Sequence, residues 1–263
     1  MPRHPGLPLP VALAALLLTG AVAGAEPIAP ADRRSGFDQM SAEIQTMQRD
    51  DDANPGMLAV VDGAELWTKP PSSSRPACAG CHGEASSSMR GVAARYPAWD
   101  ARTARPIDLQ GRINACRRTH QGADPLAYES PDLLALTAFV ATQSRGQRVA
   151  PPEDARLAPA RAEGRALFEA RMGQLGLSCA ICHDDNWGRR LGAAAIPQGQ
   201  PTGYPLYRLE WQGMGSLQRR LRNCLTGMRA EPFGYGAPEY VALEAYLATR
   251  AAPLPVETPA VRP

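Results

Sequence analysis

Cys78-Ala79-Gly80-Cys81-His82 and Cys179-Ala180-Ile181-Cys182-His183 are two copies of one pattern, C-x-x-C-H, set 101 residues apart. Two cysteines at this spacing stand one helical turn apart. Both thiols can therefore add to the vinyl groups of a single haem, and the adjoining histidine then reaches the iron from the same side. A chain with two such sites must wrap two large apolar groups. Aromatic residues make up only 6% of it, so each haem is expected to supply much of the core around it. The competing uses of six cysteines are three disulfides, with 15 pairings open to them, or a zinc site. Repetition of the motif in a chain that reads as exported favours covalent haem.

The export reading rests on the first 25 residues. Arg3 and His4 form a polar start, Val11 to Leu18 is an apolar run, and Ala23-Gly24-Ala25 fits the small-x-small pattern of a signal peptidase site. The run is short for a membrane span. The mature chain is thus expected to begin near Glu26 and to work in the periplasm. The 28 basic and 26 acidic residues of the full chain nearly cancel, which argues against a nucleic-acid-binding surface. Lys69 is the sole lysine among the basic residues, so clusters of arginine carry less meaning here than they would elsewhere.

The remaining cysteines, Cys116 and Cys224, belong to an internal repeat. Leu109-Gln110-Gly111-Arg112-Ile113-Asn114-Ala115-Cys116 reads against Leu217-Gln218-Arg219-Arg220-Leu221-Arg222-Asn223-Cys224, 108 residues later. Upstream, Gly63 to Trp67 matches Gly164 to Phe168 at the 101-residue offset of the haem motifs; downstream, PDLLALTAFVAT from Pro131 matches PEYVALEAYLAT from Pro238. The chain reads as a tandem duplication of one haem-binding unit. Cysteines that recur at one repeat position favour one task done twice, and each iron still needs a distal ligand. His/Cys-thiolate ligation, through His82 with Cys116 and His183 with Cys224, is the preferred reading. Met89, Met214, Met228 and His120 remain the alternatives, although the methionines do not fall at matching positions.

The expected class is all-α: two cytochrome c-like units with long loops, and no strand alternation. Residues 26–56 form an N-terminal arm, with Phe37, Met40, Ile44 and Met47 spaced as one helix face. The first haem unit covers 57–148. A proline-stiffened linker opens the second, 149–263, whose Pro-rich tail from 253 is expected to be mobile. Closing helices should bury Leu133, Leu136, Phe139 and Val140 in one unit, and Tyr240, Leu243, Tyr246 and Leu247 in the other. Arg219, Arg220, Arg222 and Arg229 surround Cys224. They read either as partners for haem propionates or as an anion site, since guanidinium forks bind oxyanions through paired hydrogen bonds.

These motifs resemble the SoxA family, the dihaem cytochrome of periplasmic thiosulfate oxidation. The resemblance covers essentially the whole chain after residue 25. Its most specific stretches are Cys78 to Gly83, Gly91 to Pro97, Arg112 to Cys116, and Trp211 to Pro232 (WQGMGSLQRRLRNCLTGMRAEP). It implies two covalent haems, held by Cys78 and Cys81 and by Cys179 and Cys182. It implies a heterodimer with SoxX, a small c-type cytochrome. The implied activity is that of an L-cysteine S-thiosulfotransferase, which joins thiosulfate to a cysteine of the carrier SoxYZ and passes two electrons through haem to a cytochrome. Cys224 is implied as both distal ligand and reacting sulfur, commonly a persulfide, and Arg220 as the substrate contact. Two other classes compete. A dihaem peroxidase needs an open iron, which the repeated cysteines argue against. A plain electron carrier is excluded by the resemblance alone.

Overall fold

The computed structural model describes Met1 and residues 28–263; the leader read over 1–25 otherwise lies outside the described residues, as does Glu26. The chain runs through a 3-10 turn (Gly36–Gln39) into α1 (Ala42–Arg49), then α2 (Gly56–Thr68), α3 (Cys78–His82) and α4 (Ala85–Ser88). A hairpin of β1 (Ala98–Asp100) and β2 (Arg105–Ile107) leads to α5 (Leu109–Cys116), a π turn (Arg117–Gln121) and α6 (Pro131–Thr142). The order then recurs: α7 (Ala158–Glu169), α8 (Cys179–His183), a small hairpin of β3 (Arg190–Leu191) and β4 (Ala194–Ala195), a second hairpin of β5 (Leu206–Arg208) and β6 (Gly213–Gly215), α9 (Leu217–Gly227) and α10 (Pro238–Ala251). A last strand, β7 (Val261–Arg262), pairs parallel to β5.

The mostly helical class stands, but the loops carry short hairpins, of two or three residues per strand, that have no periodicity to read. The repeat is structural down to register. Ala98 faces Ile107 and Asp100 faces Arg105 in the first half; Leu206 faces Gly215 and Arg208 faces Gly213 in the second. Each hairpin follows a cis Tyr-Pro bond, at Tyr96-Pro97 and Tyr204-Pro205. Each then feeds a helix whose N-cap side chain satisfies an otherwise orphaned amide: Asp108 accepts from Gly111 N, and Ser216 from Arg219 N.

In each half the first helix crosses the closing helix at a glycine. A Cβ on Gly63 would collide with the Ala135 carbonyl, and one on Gly164 with the Ala242 carbonyl. Backbones at this distance leave room only for hydrogen, which explains the repeated glycine. The closing helices are buried on more than the single face expected: α6 buries Leu133, Leu134, Leu136 and Val140, and α10 buries Tyr240, Val241, Leu243 and Leu247. The reason is a reciprocal embrace. Besides the first helix of its own half, α6 packs on β6 and α10 on β2, each closing helix meeting the other half's hairpin. At roughly 1.5–3 kcal/mol for each fully buried aliphatic side chain, these helices form the spine of the fold.

Two expectations for the ends need correction. The apolar stripe of the arm does not form one helix: Phe37 lies in the 3-10 turn, Met40 is extended at its end, and α1 starts after the Ser41 cap, with Ile44 and Met47 half-buried. The arm is strapped to the second half, with Arg34 N donating to Gln198 Oε1, Ser35 Oγ to Glu257 Oε1, and Asn54 Nδ2 to the Pro259 carbonyl. The proline-rich tail is not loose. Val256, Thr258, Ala260 and Val261 are buried, and Val256 N donates to Gln147 O while Val149 N donates to Leu254 O, so linker and tail pin each other. Composition suggested mobility; main-chain pairing overrides it. Among the described residues no helix is long and apolar enough to cross a membrane.

Candidate haem and thiolate sites

The C-x-x-C-H motifs form the short helices α3 and α8, so each pair of thiols and its histidine share one helical turn, as thioether attachment requires. Ser178 caps α8 by accepting from Ile181 N at 3.2 Å. Each histidine rests against the aromatic residue at the matching repeat position. Trp67 lies 5.6 Å from His82 between ring centroids, and Phe168 lies 6.5 Å from His183. The Trp67 indole is fixed in turn by donating to Gly83 O at 3.1 Å. His183 Nδ1 sits 2.7 Å from Pro197 O. A proton on Nδ1 satisfies that contact and leaves the Nε2 lone pair free, the state a metal-ligating imidazole needs.

Opposite each motif stands the repeated cysteine. Cys116 ends α5 near Cys78 and Cys81; Cys224, on α9, lies near Cys179, Cys182 and His183. The spatial grouping is the one the repeat predicts, yet the electrostatics differ. Burial pushes the Cys116 thiol up from its ordinary range; Arg112 offsets this in part, and Asp100 adds to it. Burial also pushes Cys224 up, but the nearby His183 and the charges of Arg220 and Arg208 outweigh it, so this thiol falls below its ordinary range.

The arginines sort themselves by contact. Arg219 lies over the Trp211 ring at 4.2 Å and donates to Met214 O, while Arg222 lies over Tyr235 at 4.7 Å and donates to Phe233 O. Arg220 makes no ion pair among the described residues, and its charge acts on Cys224 and on half-buried Tyr204. Of the alternative distal ligands, His120 is exposed in the π turn, Met214 sits in β6 opposite Tyr207, Met89 packs against the Trp67 cluster, and Met228 is buried with Phe168 and Tyr240. Sequence reasoning passed over Arg250. Its guanidinium is buried 4.4 Å over Phe168 and pairs with Asp184 at 2.6 Å, directly behind His183. The Asp-His neighbourhood was visible, but nothing local tied it to residue 250.

A model of the SoxA/TsdA cytochrome c domain matches residues 62–149 and 163–256, which between them contain both haem motifs and both spare cysteines. The chain belongs to this family. Covalently bound haem c goes with membership, and the paired thiols, aromatic-backed histidines and free Nε2 of His183 fit that group. The L-cysteine S-thiosulfotransferase subunit SoxA of Pseudaminobacter salicylatoxidans is 41% identical over 229 residues, 87% of this chain and 80% of that relative. The subunit of the same name from Rhodovulum sulfidophilum is 37% identical, with the same coverage. In the crystal structure of SoxXA from P. pantotrophus, one chain superposes with a TM-score of 0.84 at 34% identity, covering 88% of this chain and 87% of that one.

Proposed function

We propose that this chain is the dihaem cytochrome subunit of an L-cysteine S-thiosulfotransferase, working in the periplasm after removal of residues 1–25. Cys78 and Cys81 would hold one haem, with His82 and Cys116 as the residues offered to its iron; Cys179, Cys182, His183 and Cys224 would hold the other. The partner is a SoxX-like monohaem cytochrome, and the second substrate is a cysteine of a SoxYZ-like carrier. The observation that carries the assignment is the pairing of Cys224 with Arg220 on α9: a cysteine beside the second C-x-x-C-H motif, one helical turn after a guanidinium that has no carboxylate partner among the described residues.

In the overall reaction the carrier thiol and thiosulfate form one S–S bond, releasing one proton and two electrons. Haem, when bound, supplies the redox centre that accepts those electrons. The chain's own residues do the rest. Arg220 offers paired donors to sulfonate oxygens and holds the outer sulfur of thiosulfate towards Cys224. Cys224 is the sulfur that bonds the outer sulfur of thiosulfate as two electrons are released; the carrier thiol then attacks that outer sulfur, loses its proton and restores the Cys224 thiolate. The Pro197 carbonyl fixes the His183 tautomer, and the Arg250–Asp184 pair fixes the segment that follows it.

The test is reconstitution. Holoprotein combined with the SoxX-like cytochrome, the carrier and thiosulfate should reduce an added cytochrome c, and the carrier cysteine should gain the mass of one thiosulfate. Cytochrome reduction with no adduct on the carrier would contradict the transferase reading and leave a plain electron carrier.

A further inference from the structure

The two halves superpose in register from the cis-proline through the hairpin and cap to the distal cysteine, with no insertion between Tyr96 and Cys116 or between Tyr204 and Cys224. At one position in that frame the charge is inverted. Asp100 ends β1, and its structural counterpart at the end of β5 is Arg208. In the first half the Asp100 side chain is buried, 4% exposed, and binds Arg112 Nη2 at 3.0 Å; the Thr103 hydroxyl donates to its other oxygen at 2.7 Å. That arginine is already neutralised. In the second half Arg220 takes the place of Arg112, and the place of Asp100 is held by a second guanidinium; both charges act on Tyr204, Glu210 and Cys224.

Arg208 is built into its place. Its side chain is 15% exposed, its Nε donates to Glu210 Oε2 at 2.8 Å, and its guanidinium lies 5.3 Å over the Trp211 ring. Trp211 packs against Gly215, where no Cβ would fit, and Arg219 covers it at 4.2 Å. The carboxylate paired with Arg208, Glu210, has its side chain 63% exposed, and it feels the charge of Arg220 as well as of Arg208.

Resting on the thiosulfotransferase reading, we infer that Arg208 is a second substrate-binding residue, which with Arg220 forms a two-armed clamp for the sulfonate end of thiosulfate, and that Asp100 closes the equivalent place in the first half to anions. Thiosulfate is a dianion with three sulfonate oxygens. One guanidinium can engage two of them, and a second arm engages the third and balances the second charge. Asp100 in the same place would repel the dianion and already occupies Arg112. The duplication thus yields one reactive haem unit and one sealed unit through a single change of charge sign. Glu210 holds Arg208 in readiness and competes with substrate for it.

The test is steady-state kinetics of the reconstituted enzyme, with thiosulfate as the varied substrate. Arg208→Ala should raise KM for thiosulfate about ten-fold or more, the value of one charge-assisted hydrogen bond, with a much smaller change in kcat. Arg208→Lys should recover part of the loss, and Glu210→Gln should lower KM below wild type, which a merely structural role for Arg208 does not predict. An Arg208→Ala enzyme with KM within two-fold of wild type, while Arg220→Ala raises it, overturns the clamp and leaves the function standing. So does a fall in kcat alone, or a Glu210→Gln enzyme with raised KM. If Arg220→Ala also leaves KM unchanged, the anion site itself fails.

Discussion

The Gln218 side-chain amide, in the second half of the chain, donates to Oδ2 of Asp108 in the first half at 3.1 Å, and also to Glu244 Oε1 at 3.0 Å. Its own carbonyl accepts from Gly236 N at 2.7 Å. A fully buried glutamine therefore bridges the buried Asp108 carboxyl and the half-buried Glu244 across the junction of the duplicated units, close to a cavity of about 120 Å³ lined by Asp108, Gln110, Ser216 and Glu244. Asp108 is the cap of α5 and also takes the Tyr128 hydroxyl at 3.0 Å. The helix that ends in Cys116 is thus anchored to the half that holds Cys224.

Burial raises both carboxyls, Glu244 well above its ordinary value, with the neighbouring Asp108 charge adding to it. A carboxyl raised in the fold holds its proton where the unfolded chain has lost it. Stability is therefore greatest on the acid side, near the ordinary carboxylate range of about pH 4, and falls as pH rises through the window up to the raised value. Glu244→Gln keeps an acceptor for Gln218 and removes this titration. Thermal unfolding of the holoprotein should show the variant melting a few degrees above wild type at about pH 8, with the gap closing towards pH 5. A variant that is less stable at the higher pH would contradict the assignment.

Gly164 sets the distance between α7 and α10. Gly164→Ala puts a methyl group onto the Ala242 carbonyl, a backbone atom that cannot turn aside. The expected cost is roughly 1–3 kcal/mol, or about 2–4 °C in melting temperature for each kcal/mol in a domain of this size. Gly63→Ala, which meets Ala135 O, should behave the same way. Calorimetry of the two holoprotein variants checks both; an unchanged midpoint in either would mean that its helices can part without cost.

The repeat made much of this legible. Both C-x-x-C-H helices, both first-helix glycines, both repeated cysteines and both closing helices stand where the sequence offsets of 101, 108 and 107 residues put them. Less visible was whatever depends on partners distant in sequence. The hairpins have strands too short for alternation to register, and the tail, proline-rich as a mobile segment would be, is held by main-chain bonds to residues 147 and 149. Arg250 behind His183 and Gln218 between two carboxyls are tertiary facts. Asp100 and Arg208 lie outside the segments whose repeat the sequence makes plain, and their opposition emerges only once the strands bring position 100 to Arg112.

Haem stoichiometry is a separate matter. The intact mass of protein matured with a working haem-attachment system should exceed that of the processed chain by two haems. The double variant Cys179→Ala/Cys182→Ala should lose one and keep the first. A single haem in the wild-type chain would contradict the paired sites.

The distal ligands have their own signature. Ferric EPR should show low-spin thiolate-ligated iron for both haems, and Cys116→Met should change the signal of the first haem alone. Retention of the complete wild-type spectrum in that variant would remove Cys116 from the coordination sphere.

The central claim is that chemistry belongs to the second half alone, although both halves carry a haem motif and a cysteine facing it. It is tested most directly by thiosulfate-dependent cytochrome c reduction in the reconstituted system, comparing Cys224→Met with Cys116→Met, each loaded with both haems. The account predicts that Cys224→Met abolishes turnover while Cys116→Met retains most of it. Equal losses in the two variants, or undiminished turnover without Cys224, would contradict it.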